Sequence, residues 1–316
     1  MRNAELAIIT TLYNPIGYKR RIENWKKFRS LIHENIWIAE CSFDGKFIAS
    51  NELNHIRIEA SENSLLWQKE RLLNIILENL PRKVKYVAWV DCDILFENSN
   101  WVEDAIQLLT KQYVVQLFDV VHILDAQQER WATVRGLISH VNPTMSRYIP
   151  RVYDDSEAAR QFLETLTVHG HTGFAWAARR EVLDEVGFLD RLIVGGADYF
   201  MAHAWMGCPI PGNLDPKVWA GCIGSKLWEQ TSSWTHRASA IVDGRVGFVR
   251  GAISHLYHGN IADRRYDERN SILINGDYNP SEDIEIGANK LWVLTARGAR
   301  LKIPLQQHFV RRAEDS

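Results

Sequence analysis

The sequence predicts an α/β fold in which a mostly parallel, twisted sheet is flanked by helices. Short apolar runs of strand length alternate with longer segments whose apolar residues recur at helical spacing. Strands that alternate with helices form parallel sheets, because each helix carries the chain back to the start of the next strand. The 316 residues, 46% of them hydrophobic, suffice for one large domain. No internal repeat or low-complexity linker divides them.

The first half of the chain contains four predicted strands and two predicted helices. The strands are expected at residues 6–12, 36–41, 56–60 and 86–90, each an apolar run that stops at polar or turn-forming residues. The first helix is expected at 18–32, where aromatic and aliphatic residues recur at helical spacing. The second helix is expected at 65–80, because Pro81 stops it.

The second half of the chain is less regular. Residues 126–160 are polar, rich in arginine and aromatic side chains, and without clear periodicity, which predicts an irregular segment. Order returns with a strand and two helices, expected at 173–178, 179–186 and 198–206. Gly187 suits the C-cap of the first of these helices. The charged segment after His258 is expected to fray at its end.

The composition narrows the class of protein. The 37 basic and 39 acidic residues give a net charge of −2, which argues against a protein that coats nucleic acid but leaves room for a local basic patch. The 4 cysteines are scattered without metal-type spacing, as expected for free thiols in a reducing compartment. No apolar run has the length of a membrane span, and the amino terminus leads directly into a strand. We therefore expect a soluble cytoplasmic protein.

Two carboxylates, Asp91 and Asp93, directly follow the fully apolar strand at 86–90. Ligands of open α/β sheets bind beyond the carboxyl ends of the strands. Carboxylate oxygens suit Mg²⁺ or Mn²⁺ that bridges the phosphates of a nucleotide. The alternative is a strand end with two solvated acids, because Asp-x-Asp alone is a common pattern.

The ends of the other predicted strands carry further polar side chains, notably Thr11, Asn14 and Glu40. In a parallel sheet these ends share one rim with the Asp-x-Asp pair, where a nucleotide can lie. Glu40 could accept the N3–H of uracil, or it could be an ordinary exposed acid. Lys69 falls on the apolar stripe of its helix, so it either snorkels or pairs with something specific; one option places it with Asn74 beneath the nucleotide.

Two further clusters could serve a phosphate-binding metal. His255 and His258 are three residues apart, and a neutral imidazole could complete a metal site that the carboxylates begin. Arg264 and Arg265 follow, and guanidinium groups can hold a diphosphate bidentately. The alternative for the histidines is a structural pair.

An acid, Asp198, follows the two glycines Gly195 and Gly196 at the start of a predicted helix. Glycines permit close approach of the backbone to a ligand. The residues alone favour Asp198 as a helix cap, and the alternative is a general base for an incoming hydroxyl.

These motifs occur in an order that resembles the glycosyltransferases of the GT-A fold. The middle part resembles the C-terminal half of galactosyltransferases and polypeptide N-acetylgalactosaminyltransferases, through the segments 172–180, 187–190 and 195–198. The resemblance covers about residues 6–270. It departs at Val194, where the relatives carry tryptophan, and at Ala197, where they often carry another acid. The stereochemical outcome is therefore left open.

The resemblance implies a role for each matching residue. Asp91 would contact the donor ribose and the metal, Asp93 and His258 would ligate Mn²⁺ or Mg²⁺, and Asp198 would be the acceptor-side acid. The implied activity is that of a hexosyltransferase with a nucleotide-sugar donor, most simply a UDP-sugar. We expect a donor-binding half at 1–125, an acceptor-binding and catalytic half at 126–260, and an extension at 261–316. On this basis the donor would contact Thr11, Asn14, Glu40, Lys69, Asp91, Arg264 and Arg265, and the acceptor His171, Trp176, Gly195 and Gly196.

Two other functions remain open from the sequence. A nucleotidyltransferase also pairs carboxylates with Mg²⁺, but the segment 13–17 is a poor match to its usual glycine-rich, basic loop. A non-enzymatic sugar-binding module would use some of the 12 tryptophans.

The acceptor is unknown. It could be a neutral glycan, or it could be a negatively charged molecule such as a lipid-linked sugar or a modified base in nucleic acid. A charged acceptor would be held by basic and aromatic residues of 126–160, which could otherwise be a solvated loop: Arg130, Trp131, Arg135, His140, Arg147, Tyr148, Arg151 and Tyr153.

Overall fold

The computed structural model describes residues 5–141, 151–152, 170–260, 262–264 and 268–316. Its strands are β1 (Leu6–Tyr13), β2 (Ile36–Ser42), β3 (Asn54–Glu59), β4 (Tyr86–Val90), β5 (Ile94–Phe96), β6 (Val114–Gln116), β7 (Val120–Leu124), β8 (Arg130–Arg135), β9 (Arg151–Val152), β10 (Ala175–Arg179), β11 (Val246–Phe248), β12 (Ala252–His255), β13 (Ile284–Ile286) and β14 (Trp292–Leu294). Its α-helices are α1 (Lys19–Leu31), α2 (Lys69–Asn79), α3 (Trp101–Leu109), α4 (Leu137–Val141), α5 (Arg180–Val186), α6 (Ala197–Trp205), α7 (Pro216–Ile223), α8 (Ser225–Val242), α9 (Arg269–Asn275) and α10 (Lys302–Arg311).

The main sheet has seven strands in the order β11-β6-β10-β4-β1-β2-β3. Strands β4, β1, β2 and β3 run parallel to one another. Strand β10 runs antiparallel to both β4 and β6, so the sheet is mixed although most of its pairs are parallel. A second sheet has the order β5-β12-β7-β8-β9, and β13 and β14 form a separate ribbon. The predicted fold class, a mostly parallel sheet flanked by helices in one α/β domain, is confirmed.

The core lies on both faces of the main sheet. On β4, Val87 and Trp89 belong to the cluster that includes the apolar faces of α2, α5, α6 and α8. Ala88 and Val90 belong to the opposite cluster, which includes residues of α1 and α3. Because β4 is buried on both faces, its sequence reads as one continuous apolar run rather than an alternating one.

Two local predictions are wrong in their bounds. The helix expected at 65–80 begins only at Lys69, because the Trp67 N–H bonds to the carbonyl oxygen of Ile193 over 2.9 Å instead of entering a helix. The segment 126–160 is not irregular throughout, since it contains β8 and α4 before the described residues stop at 141. The rest of that segment, apart from the backbone of β9, lies outside the described residues.

The expectation that the chain frays after Arg311 is also wrong. Helix α10 ends there, but Glu314 is only 1% exposed and is held by two arginines. Asp315 accepts bonds from the N–H groups of Lys19 and Arg20 at the start of α1, over 3.0 and 2.8 Å. Charged residues normally mark a solvated tail, but here each carboxylate has a partner from a distant part of the chain.

Candidate functional site

The loop that carries Asp91 and Asp93 lies between the two sheets, at the carboxyl end of β4. It leaves the main sheet and enters β5 of the second sheet directly. The Asp91 N–H donates to the carbonyl oxygen of Phe174, and the carbonyl oxygen of Asp93 accepts from the Leu256 N–H, each over 2.8 Å. The main chain of this loop is therefore fixed at both carboxylates.

Three buried side chains, Asp93, His255 and His258, form a candidate metal centre. One ligand atom from each lies within 4.8 Å of the others. Nε2 of His258 lies 3.2 Å from Asp93 Oδ2, and Nε2 of His255 lies 3.9 Å from Asp93 Oδ1. Strand β12 brings His255 to this place, because its antiparallel pairing with β5 sets His255 opposite Ile94. In the sequence His255 is only one of a histidine pair, and its place beside Asp93 depends on that strand pairing.

Both imidazoles of this centre are held neutral. Burial, with the nearby Arg264 guanidinium adding to it, lowers the pKa of His258 to about 3 and that of His255 well below its usual value. A neutral imidazole is the form that binds a metal ion. Within the described part of the chain, Asp93 Oδ1 is buried and accepts no hydrogen bond. The donor set therefore offers two imidazole nitrogens and a carboxylate oxygen with unused capacity.

Lys69 forms an ion pair with Asp91 at the first turn of α2. Burial opposes the charge of Lys69, but the carboxylates of Asp91, Glu70 and Asp198 outweigh it and raise the Lys69 pKa. Burial raises the pKa of Asp91 to about 6, opposed by Lys69 and assisted by Asp93 and Asp198. Lys69 thus pairs specifically, and the alternative that it snorkels to solvent is wrong.

Asn74 does not accompany Lys69. Its side chain donates to the carbonyl oxygen of Phe188 and to Asp190, each over 3.0 Å, and accepts from the Phe188 N–H over 2.8 Å. It therefore supports the turn after α5, and the suggestion that it lies beneath a nucleotide with Lys69 is wrong.

Asp198 is the second residue of α6, and its side chain does not cap that helix. The N-cap is Gly196, in the left-handed region at φ 97°, without a side-chain cap bond. The expectation of a capping role is therefore wrong. Instead, a Cβ placed on Gly173 would lie 2.7 Å from Asp198 Oδ2, so the carboxylate packs directly over that glycine.

Glu70 is a residue that the sequence reasoning missed. It is 4% exposed and accepts a hydrogen bond from Trp67 Nε1 over 3.0 Å. Burial raises the pKa of Glu70 to about 7, with Lys69 opposing and Asp198 adding to the rise. Its position beside Lys69 in the first turn of a helix was the available signal. A cavity of about 10 Å³, large enough for one water, lies between Lys69, Glu70, Trp176 and Asp198.

The predicted acceptor-side residues lie around this acidic cluster. The His171 ring stacks on Phe174 at 3.9 Å, and its Nδ1 accepts from the Gly173 N–H over 3.1 Å. The buried indole of Trp176 donates to the carbonyl oxygen of Thr172 over 2.9 Å and belongs to the core. These contacts place His171, rather than Trp176, toward the surface of the site.

Gly195 and Gly196 allow two large side chains to approach the backbone. A Cβ on Gly195 would lie 3.3 Å from Trp67, and one on Gly196 would lie 2.6 Å from Nη2 of Arg269. Arg269 was visible in the sequence only as part of a charged run. The glycines therefore make room for Trp67 and Arg269.

The predicted residues at the ends of β1 and β2 have mainly structural contacts. Asn14 closes a turn by accepting from the Tyr18 N–H over 2.9 Å and donating to the Tyr18 carbonyl over 2.8 Å. Glu40 is 3% exposed and accepts from the N–H groups of Ile48 and Ala49 over 2.6 and 3.0 Å, so the exposed-acid alternative is wrong. Thr11 is half-buried on β1.

Of the two candidate arginines, Arg264 and Arg265, the structure describes only Arg264. Arg264 is 8% exposed and lies close enough to His255 and His258 to lower their pKa values. Arg265 lies outside the described residues. A cavity of about 950 Å³ lies away from this site, between α2, α5 and α8.

No helix in the described part of the chain is both long and apolar enough to cross a membrane. No family model matches the sequence, and no curated protein matches it.

A search of solved structures finds several similar chains. Glucosyl-3-phosphoglycerate synthase from Mycobacterium tuberculosis, solved with Mn²⁺, UDP and phosphoglyceric acid, matches with a TM-score of 0.37 and 12% identity, over 85% of this chain and 75% of that one. TarS from S. aureus, solved with UDP-GlcNAc, matches with a TM-score of 0.39 and 9% identity, over 98% and 81%. The synthase of 4-diphosphocytidyl-2C-methyl-D-erythritol from Anaerococcus prevotii matches with a TM-score of 0.32 and 15% identity, over 78% and 86%. With TM-scores this low, function has to be argued from the site itself.

Proposed function

We propose that this chain is a metal-dependent glycosyltransferase that moves a hexose from a nucleotide donor, a UDP-sugar, to an acceptor hydroxyl. The observation that carries the proposal is the meeting of Asp93, His255 and His258 beside the Lys69–Asp91 pair and Asp198 at the carboxyl end of β4. One side of this site can bind a metal with its phosphates, and the other offers a carboxylate to a nucleophile.

The residues fit a divalent metal ion. Asp93, His255 and His258 would hold it, because Asp93 has an unused buried oxygen and both imidazoles are neutral. Mn²⁺ suits a mixed set of nitrogen and oxygen ligands better than Mg²⁺, which prefers oxygen alone. When bound, the metal would neutralise the charge of the leaving diphosphate.

The donor would lie across the ends of β1 and β4. Asp91 is held by Lys69, so its free oxygen can accept from a ribose hydroxyl while Lys69 offsets its charge. Arg264, buried beside the two histidines, places a positive charge near the diphosphate position. Glu40 is left out of this donor site, because its oxygens hold the loop at Ile48 and Ala49.

Asp198 is our candidate general base for an inverting reaction. Its oxygen lies above Gly173 and next to the charges of Lys69 and Glu70. His171, on the neighbouring turn, would contact the acceptor.

The chain would divide functionally after residues 125 and 260, as expected from the sequence, except that the extension also contributes residues to the site. Residues 1–125 would bind the donor, and 126–260 would supply the acceptor side and His258. The extension at 261–316 packs against α2, since Gln68 Nε2 donates to the Trp292 carbonyl over 2.7 Å. It also brings Arg264 and Glu314 to the site.

The alternatives are distinguished by donor turnover. We expect the purified protein to release UDP from a UDP-sugar only when Mn²⁺ or Mg²⁺ is present. Pyrophosphate release from a nucleoside triphosphate and a sugar phosphate would instead show a nucleotidyltransferase. A non-enzymatic sugar-binding module would do neither. That module is already less well supported, because most tryptophans lie in the core: Trp25, Trp89, Trp101, Trp176, Trp205, Trp228, Trp234 and Trp292 are buried.

A negatively charged acceptor, such as a lipid-linked sugar or modified nucleic acid, remains part of the proposal. Arg130 is exposed on β8 and pairs with Glu97 over 3.4 Å, while Arg147, Tyr148 and the side chain of Arg151 lie outside the described residues. An acceptor screen with labelled donor would compare neutral sugars, lipid-linked sugars and DNA with hydroxymethylated bases. Preference for a neutral sugar, with turnover insensitive to salt, would reject the charged acceptor.

Gly173→Ala is expected to lower kcat by about 100-fold with little effect on stability. The new methyl group would lie 2.7 Å from Asp198 Oδ2, so the carboxylate has to move while the backbone stays in place. Steady-state kinetics and thermal unfolding would measure both effects.

The matched control for this variant is Gly221→Ala, a helical glycine of α7 with open space at its Cβ position. It should keep full activity and gain up to about 1 kcal/mol of stability. Equal kcat in Gly173→Ala and wild-type protein would show that the position of Asp198 does not matter for turnover.

A further inference from the structure

Glu314 is a buried carboxylate in a segment whose sequence resembles a solvated tail. It is 1% exposed, and Arg21 of α1 binds it through two nitrogens, with Nη2 at 3.0 Å from Oε1. Nε of Arg312 donates to the same oxygen over 2.6 Å. Two guanidinium groups keep this carboxylate ionised, and its pKa is held far below the usual range because the pull of Arg21 outweighs the cost of burial.

The second oxygen of Glu314 faces a residue of the candidate metal centre. Its Oε2 lies 3.5 Å from Nδ1 of His258, and Nε2 of the same ring lies 3.2 Å from Asp93 Oδ2. The imidazole therefore lies between two carboxylates, with one nitrogen toward each. Within the described residues, Nδ1 is buried and makes no hydrogen bond of good geometry, so the Glu314 carboxylate in contact with it is the acceptor at hand.

The segment 313–316, here called the clasp, is held against the turn that carries His258. A Cβ on Gly259 would lie 2.8 Å from the Cα of Glu314, so the two backbones are in direct contact. Tyr257 Oη donates to the carbonyl oxygen of Ser316 over 3.0 Å. On its other side, Asp315 accepts from the first N–H groups of α1. The clasp therefore has two separable parts: Asp315 anchors it to α1, and Glu314 faces the imidazole.

We propose that Glu314 is a positioning residue that orients His258 for a divalent metal ion. It accepts the Nδ1–H of His258, which leaves the lone pair of Nε2 directed toward Asp93 and His255. Histidines that bind metals almost always donate their other N–H to a carboxylate or carbonyl, which fixes both the tautomer and the ring orientation. This inference rests on the metal site of the proposed function. It adds Glu314, which lies 56 positions after His258 in the sequence.

The test compares Glu314→Gln with Asp315→Asn by the binding of Mn²⁺ to the full chain. The amide introduced by Glu314→Gln keeps the size of the side chain and one acceptor oxygen, but it loses the charge that favours the Nδ1–H tautomer. Loss of such a partner typically weakens metal binding by about 10- to 100-fold. Asp315→Asn loosens the clasp at α1 without touching His258, so its Mn²⁺ affinity should equal that of the wild-type protein.

Three results would contradict the inference, and they differ from one another. Equal Mn²⁺ affinity in Glu314→Gln and wild-type protein shows that the carboxylate does not act on His258. Equal weakening in both variants shows that the clasp only anchors the chain. If the wild-type protein binds no Mn²⁺, with or without UDP, the metal assignment of the proposed function fails first and this inference fails with it.

A second measurement needs no variant of Glu314, so it can be made even if Glu314→Gln does not fold. Nitrogen-15 chemical shifts of the histidine rings, with His258 assigned through His258→Asn, report which nitrogen carries the proton. We expect Nδ1 to be protonated and the Nε2 resonance to broaden selectively when substoichiometric Mn²⁺, which is paramagnetic, is added. Protonation at Nε2 in the wild-type protein would overturn the proposal.

Discussion

Asp93→Ala is expected to abolish the metal dependence of UDP binding. The variant removes the carboxylate oxygen that has no hydrogen-bond partner among the described residues and that completes the set with His255 and His258. Because loss of a mere supporting partner costs about 10- to 100-fold in metal affinity, loss of a ligand should cost at least about 100-fold. Titration calorimetry with UDP, with and without Mn²⁺, would measure the effect.

The fold should survive this substitution. The main-chain bond from Leu256 to the Asp93 carbonyl does not depend on the side chain. Removal of a buried carboxylate between two neutral imidazoles also relieves a desolvation cost. Glu229→Ala, an exposed acid on α8, is the matched control and should bind UDP and Mn²⁺ normally. Metal-dependent binding that persists in folded Asp93→Ala would remove the Asp-x-Asp assignment.

Lys69→Met is expected to cost about 2 to 4 kcal/mol of unfolding free energy at pH 8, less than for a fully buried pair because both side chains are one fifth to one quarter exposed. The variant leaves Asp91 next to Asp93 and Asp198 without the cation that offsets them. Donor binding should fall as well, since repulsion would drive Asp91 out of place. Urea unfolding and UDP titration would measure the two effects.

The pH dependence of this variant follows from the pKa of Asp91. Burial already raises that pKa to about 6, and loss of Lys69 removes an influence that lowers it. Below pH 6 Asp91 takes up a proton and needs no counter-charge, so the destabilisation should shrink at pH 5 and grow toward pH 8. The double variant Lys69→Met with Asp91→Asn should recover most of the loss at pH 8. A variant as stable as the wild-type protein at both pH values would show that the pair contributes nothing.

The parts of the fold that the sequence predicted well are those whose signal is local. Strands β1, β2 and β4 were found within two residues, because strands buried on both faces read as unbroken apolar runs. Asp93 and His258 were predicted from short motifs, and the structure places them 3.2 Å apart. Asp91 was predicted with them as a metal ligand, but it is paired with Lys69 and is absent from the cluster of Asp93, His255 and His258. The sequence also showed that Lys69 lies on the apolar stripe of its helix, and the structure shows that Lys69 pairs with Asp91.

The parts that were missed depend on contacts between distant segments. The position of His255 beside Asp93 depends on the pairing of β12 with β5, which no local pattern reveals. The start of α2 depends on a bond from Trp67 to Ile193. Glu314 is the extreme case, because a run of charged residues gives no local sign that one of them is buried against Arg21.

The contact between Arg21 and Glu314 joins residues 293 positions apart, so it cannot form until almost 300 residues after Arg21 have been synthesised. At about 5 to 20 residues per second, a ribosome needs roughly 15 to 60 s to travel between the two positions. Strands β1, β2 and β4 can pair long before then, because their residues emerge first. A nascent chain that ends before residue 314 could therefore pair these strands while Arg21 and His258 still lack the Glu314 carboxylate.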